Sequence, residues 1–298
     1  MTAIALCDVG PRDGLQNERK ALTPQTRADL CRRLADAGLK RIEAVSFVRD
    51  DRVPQMAGAE QVLGVLDGDA GDAAISALVL NPRGLDRALA AGIRTVHVAI
   101  MATEAFARAN VNRSRDEAAE AAYELIARAV AEGATVAGTV SVAFGCPFEG
   151  AVDPGVVDDL LARMADAGAA ELMLADTIGV AVPRQVRSAV KRAGAHGLPC
   201  GVHLHDTRNT AVANALAALD AGATLFESSV GGAGGCPFAP GATGNLATED
   251  LAWVLEREGI ETGVNVNAVV GTAHWLEEQL ERTLPGALSR PGCSLMGV

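Results

Sequence analysis

The sequence lacks the features of several protein classes. None of its apolar runs reaches the roughly 18 residues that a membrane-spanning helix needs, so we expect no membrane association. The net charge of −11 at pH 7 argues against nucleic acids and anionic membrane surfaces as partners. It does not exclude a small anionic substrate, because a local group of arginines or a metal ion can oppose the overall charge.

A basic leader segment and a Ser/Pro-rich linker are also missing. The segment from Met1 to Leu6 has no basic region, which predicts a cytoplasmic protein. The six cysteines are scattered, so we expect reduced thiols, and no cysteine pair has the ligand spacing of a structural zinc site. Without a linker, a chain of 298 residues that is 49% hydrophobic predicts one catalytic domain over residues 1–298.

One pattern recurs along the chain: an Ala-rich helix ends in a small residue and Gly, and an apolar strand follows. Gly38 is the first example, and Gly is common just past a helix end because it adopts the left-handed conformation without strain. Thr23-Pro24 predicts the N-cap and first turn of a helix that extends to Ala37. The predicted strands cover residues 4–9, 41–48, 73–80, 95–102, 135–143, 171–176, 199–206 and 224–230.

Eight strands, each followed by a helix and several of them apolar on both faces, predict an α/β fold, the (β/α)8 or TIM barrel. A doubly wound open sheet is the alternative, but its usual strand count is lower. A last helical stretch from Asn265 to about Thr283 lies outside the eight units. It predicts a C-terminal helical extension over about residues 264–298.

His203-Leu204-His205, at the end of the seventh predicted strand, is the most informative motif. Residues two apart on a strand face the same side, and converging imidazoles usually indicate a metal ion. Alternatively, one histidine belongs to the core and the other bonds a backbone carbonyl. Asp13 follows strand one and Asn245 follows strand eight, so barrel closure places both near strand seven. This donor set suits Mg²⁺ or Mn²⁺ best, with Zn²⁺ or Co²⁺ possible.

Two further features lie at the same predicted end of the barrel. Arg12 either forms an ion pair with Glu43 or Asp8, or stabilises a developing enolate or carboxylate oxygen. The glycine-rich stretch from residue 231 to 245 predicts a lid over the site, and it carries Cys236. Cys236 is either an inert buried thiol or a proton donor, and Cys146 is the weaker candidate acid.

Together these motifs resemble the 3-hydroxy-3-methylglutaryl-CoA lyase family of metal-dependent TIM-barrel carbon–carbon lyases. The match runs through nearly the whole chain, and its segments are long enough to be highly specific. The wider group of metal-dependent barrels shares the Arg-Asp and His-x-His elements but lacks the cysteine loop. The densest matches lie at residues 9–18, 53–56, 176–180, 203–207, 229–238 and 244–250.

The resemblance implies retro-Claisen cleavage of 3-hydroxy-3-methylglutaryl-CoA (HMG-CoA), an acyl-CoA thioester, to acetyl-CoA and acetoacetate. It also suggests a homodimer and a role in leucine degradation. The base that removes the substrate proton stays open among Asp13, Glu43 and His203. The metal ligands it implies are Asp13, His203, His205 and Asn245. The implied catalytic residues are Arg12, Asp13, Glu43, His203 and Cys236, with Asp8, Gln16, Asp176 and Glu249 around them.

Three departures from the family pattern leave room for another substrate. Asp8 stands where Glu is common, the two acids in Arg49-Asp50-Asp51 stand where a lysine is frequent, and Arg208 follows the His-Asp-Thr motif. A lyase for a related 3-hydroxyacyl-CoA is therefore an alternative. So is an aldolase or Claisen-type enzyme on the same barrel. A non-catalytic metabolite-binding protein is a third alternative.

Overall fold

The computed structural model describes residues 4–235 and 244–290. Eight parallel strands form a closed barrel in which each strand pairs with the next along the chain and the last pairs with the first. This confirms the TIM barrel and excludes the open doubly wound sheet. The strands are β1 Ala5–Asp8, β2 Arg41–Ser46, β3 Ala74–Leu78, β4 Thr95–Met101, β5 Thr135–Ser141, β6 Glu171–Asp176, β7 Cys200–Leu204 and β8 Leu225–Ser228.

Helices follow the strands and cover the outside of the barrel with apolar side chains. Thr23 caps the first helix through a bond from the Thr26 amide, and Pro24 occupies the first turn, as the sequence predicts. The helices are α1 Pro24–Asp36, α2 Ala59–Leu66, α3 Pro82–Ala90, α4 Glu104–Val111, α5 Arg115–Ala131, α6 Pro154–Asp166, α7 Pro183–Gly194, α8 Ala211–Asp220, α9 Thr248–Arg257 and α10 Val266–Leu280.

Gly38 shows why glycine follows a helix end here. Its φ of 98° is left-handed, and an added Cβ would lie 2.3 Å from the carbonyl oxygen of Gly263. Only glycine therefore permits both the turn after α1 and the close approach of the segment before α10. That segment is tied to the same turn, because the Asn265 amide donates to the Ala37 carbonyl.

The C-terminal part of the described chain packs against the barrel's first helix. α10 lies within the predicted extension 264–298, and Arg33 of α1 stacks over the Trp275 ring at 4.6 Å. The single-domain assignment for residues 1–298 stays a prediction. Within the two described stretches, no helix is both long and apolar enough to cross a membrane.

Candidate active site

Three predicted metal ligands meet at the carboxyl ends of the strands. Donor atoms of Asp13, His203 and His205 all lie within 4.8 Å of one another, and His203 Nε2 is 3.9 Å from Asp13 Oδ2. Asn245 joins them, because its Nδ2 donates to Asp13 Oδ2 at 2.9 Å. The structure therefore brings together four residues that come from the beginning and the last third of the chain.

Local backbone structure explains this convergence. After β1 the chain forms a single π-helical turn, Gly10–Gly14, in which the amides of residues 12, 13 and 14 all bond to the Val9 carbonyl. Such turns are frequent at functional sites, and this one places Asp13 above the strand end. On the other side, a two-residue antiparallel bridge joins His205 to Asn245. Both loops are thus held by backbone bonds.

Several buried nitrogen and oxygen atoms at this site have a free lone pair and no hydrogen-bond partner among the described residues. The Nδ1–H of His205 donates to the Asp176 carbonyl at 3.1 Å, which leaves His205 Nε2 unprotonated, buried and without a partner. Asn245 Oδ1 and Glu43 Oε1 are also buried without a hydrogen-bond partner among the described residues. Each such atom costs about 1–3 kcal/mol unless another group binds it. Imidazole nitrogen with carboxylate and amide oxygen is a donor set that fits a divalent cation.

The charges in the group also favour cation binding. Burial alone would raise the pKa of Asp13, but Arg12 and the two imidazoles outweigh it and lower that pKa to about 2. Burial and the neighbouring His203 lower the pKa of His205 to about 4. Asp13 is therefore an anion and His205 a neutral imidazole near pH 7. These are the forms in which both side chains bind metals.

Arg12 bridges two carboxylates beside the candidate metal ligands. Its Nε donates to Glu43 Oε2 at 2.7 Å and its Nη1 donates to Asp13 Oδ1 at 2.6 Å. Of the two ion-pair partners that the sequence offered, Glu43 is correct. Asp8 bonds elsewhere. The pairing fixes the guanidinium at the cavity wall, where Arg12 can also face an incoming anion.

Asp8 and Glu249 lie behind the two loops that hold the site. Asp8 accepts bonds from the Gly10 amide and the Thr248 hydroxyl, and Glu249 accepts one from the Gly231 amide. Burial raises the pKa of Asp8 to about 7 and that of Glu249 to about 8. Both residues thus fix loop backbone near the site without reaching its centre.

Asp176 and Gln16 are the other two predicted neighbours of the group. The Asp176 carboxylate accepts the amides of Val180 and Ala181, each at 2.9 Å, and burial raises its pKa. Its carbonyl orients His205, as described above. Gln16 lines the cavity, and its Oε1 is buried without a partner in the described part of the chain.

A cavity of about 770 Å³ extends from the candidate ligands to the surface. Its inner end is formed by Arg12, Asp13, His203 and His205, and its walls include apolar side chains such as Met101, Phe106 and Leu125. Cationic side chains also line it, which suits a ligand with an acyl end and anionic groups. These arginines are Arg49, Arg52 and Arg113.

The two candidate acid thiols differ in what the structure shows of them. Cys236 lies outside the described residues, as does most of the predicted lid. Cys146 is buried in a two-residue antiparallel bridge with Gly150, and its Sγ accepts a bond from the Thr103 hydroxyl at 3.1 Å. The Cys146 thiol thus links the turn after β5 to the start of α4.

At two of the departures from the family pattern, the side chains form bonds with nearby residues. Arg208 donates to the carbonyls of Ile178 and Gly179, so this cation supports the loop after β6. Asp51 is paired with Arg49 at 2.6 Å on the exposed rim of the cavity. Asp51 therefore carries its own counter-charge in Arg49.

Sequence reasoning missed His97 and gave Glu227 no role. Both are buried, line the inner end of the cavity and face each other, with His97 Nδ1 3.4 Å from Glu227 Oε1. The available signal was an ionisable side chain inside each of two otherwise apolar strands, which is costly unless it is paired.

This geometry can be compared with known proteins. Residues 3–275 match the family model described as HMGL-like. The chain belongs to the HMGL-like family. This is a family of carbon–carbon lyases, so the chain is an enzyme of the carbon–carbon lyase type, in agreement with the sequence resemblance.

Curated relatives in this family differ in the thioester named. The chain is 43% identical to the hydroxymethylglutaryl-CoA lyase of Pseudomonas mevalonii, over 94% of this chain and 93% of that protein. It is 41% identical to the (R)-citramalyl-CoA lyase of Chloroflexus aurantiacus, over 98% of this chain and 96% of that protein. Among solved structures, it resembles an HMG-CoA lyase from Acinetobacter baumannii in complex with coenzyme A and 3-methylmalate. The TM-score is 0.92 at 32% identity, covering 100% and 99% of the two chains.

Proposed function

We propose that this enzyme is a hydroxymethylglutaryl-CoA lyase that cleaves HMG-CoA to acetyl-CoA and acetoacetate with a divalent cation. The observation that carries the proposal is the convergence of Asp13, His203 and His205 beside Arg12 at the inner end of the cavity. Family membership supports the lyase chemistry, and the donor set supports the cation.

Asp13, His203, His205 and Asn245 would hold the cation, and Mg²⁺ or Mn²⁺ suits their oxygen and nitrogen donors. When bound, the cation would supply Lewis acidity toward the substrate hydroxyl and so lower its pKa. The buried, unpartnered donor atoms described above support this assignment.

The first step requires a base for the 3-hydroxyl proton. Asp13 and His203 line the inner end of the cavity, and Glu43, which is bonded to Arg12, has a buried Oε1 without a partner in the described chain. Loss of the proton lets the C3 carbonyl form while the C2–C3 bond breaks. The electron pair of that bond then moves into the thioester, which becomes an enolate.

The second step requires stabilisation and protonation of the enolate. Arg12 is held rigidly by Glu43 and Asp13, so its positive charge is already in place where the thioester oxygen becomes negative. Transfer of a proton to C2, for which we propose the Cys236 thiol as donor, then gives acetyl-CoA. The oxo acid leaves with the remaining carbons.

A second candidate substrate is citramalyl-CoA, which the relative from Chloroflexus aurantiacus favours. This thioester has the same carbinol centre but carries its carboxylate one methylene closer to the hydroxyl, and its cleavage gives acetyl-CoA and pyruvate. Both compounds suit a cavity with cationic side chains on its wall and Arg12 at its inner end.

The test is cleavage of each thioester by the purified enzyme with Mg²⁺ or Mn²⁺, followed by assays of acetyl-CoA and of the oxo acid. We expect acetoacetate from HMG-CoA. A higher kcat/KM for citramalyl-CoA, with pyruvate released, would transfer the proposal to the second substrate. No cleavage of either thioester would contradict it.

An acyl-CoA thioester is thus the proposed partner of the cavity, with Arg52 and Arg113 available to the phosphates of coenzyme A, whereas Arg49 is paired with Asp51. A homodimer, a cytoplasmic location and a role in leucine degradation stay predictions. Gel filtration with light scattering of the purified protein tests the first of them.

A further inference from the structure

Glu227 is a buried carboxylate at the inner end of the cavity, held between two histidines. It lies on β8, directly opposite His203 in the register of β7 and β8. Its side chain is 6% exposed, so its charge is largely removed from water. A carboxylate is costly in such a place unless it is paired and hydrogen-bonded.

Both carboxylate oxygens of Glu227 face imidazoles. Oε2 is 2.9 Å from Nδ1 of His203, and Oε1 is 3.4 Å from Nδ1 of His97. On its far side, His97 Nε2 is 3.0 Å from the Ser76 hydroxyl, which donates to the Ile42 carbonyl. A chain of polar contacts therefore runs from the candidate metal ligand His203 across the barrel to β2.

The directions of these bonds fix the proton on His203. An ionised carboxylate only accepts hydrogen bonds, so His203 must donate its Nδ1–H to Glu227. In a neutral imidazole the other nitrogen then carries the lone pair, and this is Nε2, the atom 3.9 Å from Asp13 Oδ2. Glu227 thus selects the tautomer in which His203 presents an unprotonated nitrogen to the candidate metal site.

The same reasoning applies to His97. The Ser76 hydroxyl donates its proton to the Ile42 carbonyl, so it can only accept from His97 Nε2. His97 Nδ1 faces Glu227 Oε1 at 3.4 Å, and although burial disfavours the charged imidazole, the Glu43 and Glu227 carboxylates raise the pKa of His97. In its protonated form His97 balances the Glu227 carboxylate, which can then orient His203 without leaving an uncompensated buried anion.

We propose that Glu227 is a positioning residue for His203, and that His97 holds Glu227 in place. The proposal rests on the metal site of the proposed function but concerns residues that do not touch the cation. Histidine ligands commonly need a partner on the second ring nitrogen, and loss of that partner typically costs 10–100-fold in metal affinity.

The test is an equilibrium titration of metal-free protein with Mn²⁺, read by the electron paramagnetic resonance signal of the free ion. We expect Glu227→Gln to weaken Mn²⁺ binding about 10–100-fold, because the neutral amide cannot accept from both imidazoles. His97→Gln should weaken it less, by no more than about tenfold, since it acts one contact further away.

Glu171→Gln is the matched control, because Glu171 is also an ion-paired carboxylate of the barrel interior but is bonded to Arg41. It should leave Mn²⁺ affinity unchanged. Melting of each metal-free variant separates a general loss of stability from a specific loss of metal affinity. If Glu227→Gln does not fold, His97→Gln alone carries the test.

The double variant tests whether His97 acts through Glu227. If it does, the double variant Glu227→Gln with His97→Gln binds Mn²⁺ as weakly as Glu227→Gln alone. If the two losses of binding free energy instead add, His97 does not act through Glu227. Unchanged Mn²⁺ affinity in the folded variants would overturn the whole inference while leaving the proposed function intact. Absence of Mn²⁺ binding by the unmodified protein would contradict the proposed metal site itself.

Discussion

Polar and charged side chains enter the barrel interior at both ends, but their bonding differs between the two ends. At the amino ends of the strands, Arg41 and Glu171 form a two-bond ion pair of 2.8 and 2.6 Å that uses both carboxylate oxygens. At the carboxyl ends, His205 Nε2, Asn245 Oδ1 and Glu43 Oε1 are buried without partners in the described chain. In the first arrangement both carboxylate oxygens have a partner, so it is complete and stabilises the fold. The second is incomplete, because its buried lone-pair atoms have no partner in the described chain, and this indicates a site that binds a ligand or a metal ion.

The largest effect is expected from removing a candidate metal-binding atom at the carboxyl ends of the strands. His205→Ala deletes a buried nitrogen that has no other partner in the described chain, so we expect metal binding to be lost. Metal content after dialysis of Mn²⁺-loaded protein measures it. His196→Ala, in the turn after α7 and away from the site, is the control and should retain the ion. Stoichiometric metal in the His205 variant would remove this residue from the ligand set.

The next effect concerns the proposed proton donor. Cys236→Ala should lower kcat by about 10²–10⁴, the range for loss of a general acid, while Mn²⁺ still binds. Steady-state release of acetyl-CoA measures the rate. Cys146→Ala is the comparison, because that thiol accepts a bond from Thr103 at the start of α4 and should not be needed for proton transfer. Full activity of the Cys236 variant would return this residue to a structural role.

At the complete end, the expected change is in stability alone. Glu171→Gln removes the charge that both Arg41 nitrogens use, so the free energy of unfolding should fall by about 1–3 kcal/mol. Urea unfolding measures this change, and kcat with saturating metal should stay at the wild-type value. A large loss of activity with unchanged stability would contradict a purely stabilising role for the Arg41–Glu171 pair.

The last expected effect is a change in the pH dependence of stability. Burial raises the pKa of Asp8 from 3.8 to about 7. The folded protein therefore keeps a proton that the unfolded chain has lost, and stability falls as pH rises from about 4 to about 7. The slope from this one group is at most about 1.4 kcal/mol per pH unit.

Asp8→Asn should remove that part of the slope, because an amide can keep bonds to the Gly10 amide and the Thr248 hydroxyl. Urea unfolding at several pH values measures the difference from wild type. Asp72→Asn, at an exposed position, is the control and should leave the slope unchanged. Parallel curves for wild type and the Asp8 variant would contradict the raised pKa.

The fold was predictable because its signals are local and repeated. Thr23-Pro24 marks where α1 begins, and Gly38 marks the turn that follows it. The predicted strand 41–48 extends two residues beyond β2, which ends at Ser46, since a polar strand end and the following loop look alike in sequence. Closure of the ring followed from counting eight such units.

The site was predictable in part. Strand spacing and barrel closure were enough to expect Asp13 and Asn245 beside the histidine pair. The partner of Arg12 was left open between Glu43 and Asp8, because the direction of a side chain in a π-helical turn cannot be read from sequence. His97 was missed for a similar reason. Its contact with Glu227 crosses the barrel from β4 to β8, and no periodicity within one strand indicates such a contact.

The central claim is that Asp13, His203 and His205 hold one divalent cation. Anomalous X-ray scattering from crystals of the Mn²⁺-loaded protein measures this most directly. The account predicts a single strong manganese peak per chain within bonding distance of these three side chains. A peak elsewhere, or no peak between Asp13 and the two imidazoles at saturating Mn²⁺, would contradict it.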